Sequence, residues 1–186
     1  GDGDITNTDV PICFFWNNSF SQVIYHKDDI SVNQGVVTTL TYKTNFISSL
    51  EDKNIKIWMA NTTKDSFDTI SYWIPEEEFT LVYDGTKSFE SGISYVDFEL
   101  IPDAFTYTGN NIAVMVEKLD SQYSGGCYFY QTETAEGDKA ERNASIYYRS
   151  DYNPFDCTYN GSLATFYPNI LITFNDAVED NPDPDP

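Results

Sequence analysis

The chain has 186 residues, 40% of them hydrophobic and 16% aromatic, with 30 acidic side chains against 10 basic ones and a net charge of −20. That length suits one domain with a core of its own. A surface so negative repels nucleic acid and anionic lipid, and no apolar run is long enough to cross a bilayer as a helix, so neither nucleic-acid binding nor membrane insertion is expected.

The opening GDGDITNTDV reads as a linker segment over residues 1–9, cut from a longer precursor. From residue 10 onward, short apolar and aromatic runs alternate with turn clusters. ICFFW, SQVIYH, VVTTLTYK, NIKIWMA, FTLVY, ISYVDFEL, NIAVMVEK, GCYFYQ, SIYYR and NILITF are the expected strands. Several alternate with period two, the mark of a half-buried strand. Ile55, Ile57 and Met59 point one way while Lys56 and Trp58 point the other. Val96, Phe98 and Leu100 oppose Tyr95, Asp97 and Glu99. Ile112, Val114 and Val116 form one stripe, and Ala113 and Met115 form a second, so this strand is expected to be buried on both faces. YDGTKS, TYTGNN, YSGG and YNGS supply the residues of tight turns. YHKDDI and DKAER are expected to form single helical turns. About ten strands with no alternating helices predict an all-β fold, a two-sheet antiparallel jelly-roll β-sandwich over residues 10–175. The remainder, 176–186, is acidic and proline-punctuated, and reads as a linker to another domain or a tail.

The stretch SYWIPEEEFTLVYDG places Glu76, Glu77 and Glu78 in a row. Glycoside hydrolysis needs two carboxyl groups converging on one bond. Three consecutive glutamates alternate faces on a strand or splay into water in a turn, so a solvated edge is the expectation. His26 is the only histidine; it is expected at the surface near Asp28 and Asp29, and any Ser-His-Asp triad would have to use it. No phosphate-binding glycine loop precedes a helix. The sequons at Asn17, Asn61, Asn143 and Asn160 are what chance gives in a chain rich in Asn, Ser and Thr.

Recognition chemistry is better supplied than catalysis. Aromatic faces stack on the C–H faces of sugar rings while Asp, Asn and Glu bond the hydroxyls. Trp58 alternates away from the core stripe, Trp73 stands beside Tyr72, and Trp16 follows ICFF. A second aromatic set lies in SQYSGGCYFY and YYRSDYNPFDCTYNG: Tyr123, Tyr128, Tyr130, Tyr147, Tyr152, Phe155 and Tyr159, with Arg149, Asp151, Asn153, Asp156 and Asn160 nearby. Expected ligand contacts are Trp58, Tyr72, Trp73, Tyr123, Arg149 and Tyr152. The acidic balance makes calcium the first candidate for an inorganic partner, and Asp151, Asn153 and Asp156 offer oxygen ligands at short spacing. Cys13, Cys127 and Cys157 are expected as buried free thiols, with Cys127–Cys157 the most plausible bridge should one form.

VPICFFWNNSFSQVIYHKDDI resembles the opening strands of jelly-roll modules in surface and secreted proteins of Bacteroidetes. NIKIWMANTTKDSFDTISYWIP, LVYDG, FTYTGNNIAVMVE and PNILITF follow in the expected order, so the resemblance covers roughly residues 10–175. Similar architectures include lectin-like and MAM-like modules, gingipain-type cleaved-adhesin domains and carbohydrate-binding modules. The resemblance implies a non-catalytic module of a multidomain extracellular or cell-surface protein, often with a structural calcium ion. Its partner would be a glycan or a protein, and other domains of the same polypeptide would adjoin it. The competing expectations are a spacer with no ligand and a small glycoside hydrolase.

Overall fold

A computed structural model describes residues 1–120, 122–135 and 141–179. Among the described residues there are thirteen strands: β1 (Ile5–Asn7), β2 (Asn18–Tyr25), β3 (Val32–Phe46), β4 (Leu50–Thr62), β5 (Thr80–Phe89), β6 (Gly92–Glu99), β7 (Thr106–Tyr107), β8 (Asn111–Leu119), β9 (Cys127–Glu133), β10 (Ser145–Ser150), β11 (Ser162–Ala164), β12 (Phe166–Pro168) and β13 (Ile170–Glu179). Single 3-10 turns occupy Lys27–Asp29 and Glu76–Glu78. The first lies in YHKDDI as expected. Most of DKAER lies outside the described residues.

All the strand pairs are antiparallel. One sheet runs β11-β10-β2-β8-β4-β5; the other is built on β1-β9-β3-β13, with β12 beside β9 and both β6 and β7 beside β3. The two sheets pack face to face as an antiparallel β-sandwich. Ile55, Ile57 and Met59 face the inter-sheet core, as do Val96, Phe98 and Leu100, and Ile112, Val114 and Val116. Phe14, Phe46, Phe89 and Phe129 meet edge-on or stacked at the centre. Burying each such ring contributes about 2 kcal/mol.

Strand β8 is buried on both faces, as its double stripe predicts. Ala113 and Met115 join a second apolar layer with Phe20, Ile24, Ala60 and Ile146 on the far side of the six-stranded sheet. That layer needs a cover. The segment between β4 and β5 supplies Phe67, Trp73, Ile74 and Phe79, and the segment between β10 and β11 supplies Phe155. These two segments create the hollow described below.

Three local expectations are corrected. ICFFW is not a strand. Ile12, Cys13 and Phe14 are buried while Phe15 is exposed, and the backbone bonds enter no ladder: Cys13 N–H donates to Ser19 Oγ (2.8 Å), the Phe14 carbonyl accepts from Ser124 N–H (2.7 Å) and the Trp16 carbonyl accepts from the Lys118 ammonium (2.6 Å), while the carbonyl of Pro11 just before them accepts from Ser21 Oγ (2.7 Å). Asp84-Gly85 is not a turn. It lies inside β5, where pairing of Lys56 with Asp84 and Ile55 with Gly85 overrides the local turn preference. The opening segment also does more than link, because Ile5, Thr6 and Asn7 pair with Gln131, Tyr130 and Phe129. TYTGNN does turn where expected: Gly109 has φ +87°, and a Cβ there would stand 2.9 Å from the Asn33 carbonyl oxygen. At the C-terminus β13 runs on to Glu179, and the rest of the expected Asp/Pro linker lies outside the described residues.

Candidate functional site: an aromatic and acidic groove

The outer face of the six-stranded sheet carries a groove of about 630 Å³. Phe20, Gln22, Trp58 and Met115 form its sheet side. Ser71, Trp73, Ile74, Pro75, Glu76 and Glu77 come from one covering segment, Phe155, Asp156 and Cys157 from the other, and Glu117 from β8. Strand parity explains the floor. Phe20 and Gln22, Met115 and Glu117, and Trp58 all point away from the inter-sheet core.

Both walls are fixed by hydrogen bonds. The buried Gln22 amide brackets the Ile74 backbone: Oε1 accepts from Ile74 N–H and Nε2 donates to the Ile74 carbonyl, each at 2.8 Å. The Trp73 indole N–H donates to the Tyr159 carbonyl at 2.9 Å, and Gly161 N–H donates to the Ile70 carbonyl at 2.6 Å, so the walls are tied together. A Cβ on Gly161 would come within 2.7 Å of Trp73 and Ile146, which is why a glycine stands there. Phe155 stacks on Phe20 and meets Trp73 edge-on at 4.5 Å.

Two groups in this frame remain open. Trp58 is only partly buried; among the described residues no other ring packs on it and its N–H makes no hydrogen bond. Glu117 is half-buried and, among the described residues, accepts no hydrogen bond and forms no ion pair. Lys56 pairs with Glu117 across β4 and β8, but its ammonium lies 3.6 Å from Asp84 Oδ2 instead. Loss of solvation pushes the Glu117 carboxyl above its usual range; Lys56 opposes this, and the nearby charges of Glu76 and Asp84 add to it.

Of the expected ligand contacts, only Trp58 and Trp73 meet in the groove, with Trp73 just 6% exposed. Tyr72 is exposed beside it, its ring beneath the Lys64 ammonium at 3.9 Å. Tyr123 is 71% exposed and packs edge-on against Phe15, which does not line the groove. Arg149 pairs with Asp9 and lies over the rings of Tyr147 and Trp16; it shares the Tyr147 side of β10, whereas Tyr148 faces the groove layer. Tyr152 is 89% exposed. The Tyr-rich set is therefore divided between surfaces. Glu76, Glu77 and Glu78 form a solvated turn, yet the first two line the groove. Glu117 and Gln22 carry no ligand role in the sequence reading, whereas Phe155 belongs to its second aromatic set; an acidic residue outward beside the apolar Ala113 and Met115 is the signal that marks Glu117.

Each of the expected calcium ligands bonds to nearby backbone or to a serine hydroxyl. Asp151 Oδ1 accepts from Asn17 N–H at 3.1 Å, and Asp156 Oδ1 accepts from Thr158 N–H at 2.9 Å, a bond that holds the Asp156 carboxyl below its usual range. Asn153 donates its own N–H to Ser150 Oγ. Among the described residues no three His, Cys, Asp or Glu side chains gather as a metal site. The cysteines also differ from expectation: all are free, but only Cys13 and Cys127 are buried, while Cys157 is exposed at the groove and far in role from Cys127 in the inter-sheet core.

A second hollow of about 280 Å³ lies beside His26, Asp28, Asp65 and Arg142. Its polar groups serve one another. His26 Nδ1 lies 3.2 Å from Asp28 Oδ2, and Arg142 donates to the Asp65 carbonyl at 2.9 Å. The groove, with open aromatic and acidic groups, is the stronger candidate. No protein family, no curated protein and no solved structure matches this chain.

Proposed function

We propose that the chain is a non-catalytic, extracellular module of a multidomain protein, and that it binds carbohydrate in the groove. The observation that carries this is the pair of open groups on one rigid sheet: the Trp58 indole, free to stack on the apolar face of a sugar, and the unpartnered Glu117 carboxylate, able to accept from its hydroxyls. Glu76, Glu77 and Asp156 add acceptors at the rim. The walls are pre-set by Gln22 and Trp73, so little ordering entropy opposes binding. A spacer without a ligand has no use for a partly exposed tryptophan beside an uncompensated carboxylate.

The test is a glycan array followed by titration of the glycans retained. Binding by the intact chain that Trp58→Ala abolishes supports the proposal. Binding that survives Trp58→Ala places the site elsewhere.

One observation favours a second reading, a glycoside hydrolase. Glu117 has a raised carboxyl, and Glu76 and Glu77 line the same groove, the kind of pairing that gives a general acid and a base. Incubation with the bound oligosaccharide separates the two: turnover lost in Glu117→Gln is hydrolysis, and binding without turnover is recognition.

A further inference from the structure

Resting on the carbohydrate reading, we infer that the groove selects amino sugars bearing a free ammonium group, and that Glu117 is the residue that reads the charge. The polar inventory of the lining leads there. Gln22 is the one neutral amide, and both its ends are taken by Ile74. The charged groups among the described lining residues are all carboxylates: Glu76, Glu77, Glu117 and Asp156. Carboxylates accept and never donate when ionised, so a ligand must bring donors. Lys56, the nearest cation across the sheet, is turned to Asp84.

Register sets the distance. Trp58 pairs with Met115, and Glu117 pairs with Lys56, so Trp58 and Glu117 are diagonal neighbours on one face of adjacent strands. Diagonal neighbours stand about 7–8 Å apart, the reach of a pyranose ring with one hydrogen bond at its edge. A ring stacked on Trp58 therefore presents an edge substituent to Glu117. A hydroxyl there satisfies the carboxylate. That bond is already charge-assisted on the acceptor side; an ammonium adds the attraction between opposite full charges, in a partly buried site where water screens it less. The same charges, within a chain of net charge −20, turn away uronates and sulfated sugars.

The test titrates the intact chain with four oligomers of equal length: glucosamine, N-acetylglucosamine, glucose and galacturonate, at a pH where the glucosamine amine is charged. The expected result is glucosamine bound at least tenfold tighter than the neutral sugars and galacturonate not bound. Glu117→Gln should remove the charge preference, so that glucosamine and the neutral sugars bind alike in the variant, whatever affinity all of them lose with the carboxylate. Trp58→Phe should weaken all alike. In the unmodified protein, raised salt should erode the glucosamine advantage, a readout that needs no variant. Equal binding of charged and neutral sugars, preference for galacturonate, or an advantage intact in Glu117→Gln or in high salt overturns the inference and leaves carbohydrate binding standing. Binding of none of the four, together with an array that retains no glycan, overturns the carbohydrate reading itself.

Discussion

Phe155 lies flat against Phe20, ring centroids 3.8 Å apart and planes within 6° of parallel. One ring comes from β2 and the other from the segment between β10 and β11. Phe155 also touches Trp73 and Tyr148, so this single side chain holds one wall of the groove to its floor. Phe155→Ala should cost about 2 kcal/mol, seen in urea melts, because the ring is partly rather than fully buried. It should also weaken the ligand bound by the intact protein. Unchanged stability would mean that the wall is held by its hydrogen bonds alone.

Gln22 performs on the other wall what a neighbouring strand would, meeting both the N–H and the carbonyl of Ile74. Gln22→Leu keeps the volume but leaves two buried backbone groups without partners. The expected cost is about 3 kcal/mol, with Trp73 fluorescence shifted toward that of solvent-exposed indole. Gln22→Glu should fall between the two, since its carboxylate can still accept from Ile74 N–H.

The carboxyl of Glu117 titrates above its ordinary range chiefly because burial disfavours its charge. A folded state that holds this proton more tightly than the unfolded chain is favoured at low pH. The stability it confers is present below the ordinary carboxylate pKa and is lost as pH rises through the elevated one. Glu117→Gln should therefore raise Tm at neutral pH and flatten the slope of Tm against pH in that window. A lower Tm at neutral pH would show that Glu117 has a stabilising partner.

Thiol chemistry should sort the cysteines by depth. Cys127 is buried and its thiol is pushed up to about 11 by loss of solvation; burial raises Cys13 too. Cys157 is exposed. A disulfide reagent at neutral pH should label Cys157 rapidly, with Cys13 and Cys127 reacting only after unfolding. Stability linked to Cys127 is present below the ordinary thiol pKa and lost as pH climbs through about 11. Rapid labelling of two or more thiols in the native protein would contradict this placement.

Much of the sandwich is legible in the sequence because period two is a direct readout of burial. The double stripe of β8 announces a strand covered on both sides, and Trp58 is visible as an outward residue. The errors have physical causes. Asp84-Gly85 has strong turn chemistry, but its neighbours on β4 pull it into a ladder. ICFFW has strand composition, yet its backbone bonds go to Ser19, Ser124 and Lys118 rather than into a ladder. The groove is less legible than the fold. It is assembled from β2, β4, β8 and two covering segments; the outward place of Glu117 is legible beside Ala113 and Met115, but its loss of solvent beneath those segments is not. Tyr123, Arg149 and Tyr152 share a recognition-like composition, but composition carries no information about which surface a side chain faces.

Assigned indole N–H signals in a two-dimensional NMR titration test the central claim most directly. Saturation with an oligosaccharide retained by the intact chain should move the Trp58 signal most and Trp73 less, because its N–H is held by Tyr159, with Trp16 still. Saturable binding that leaves Trp58 unmoved would contradict the groove as the binding site.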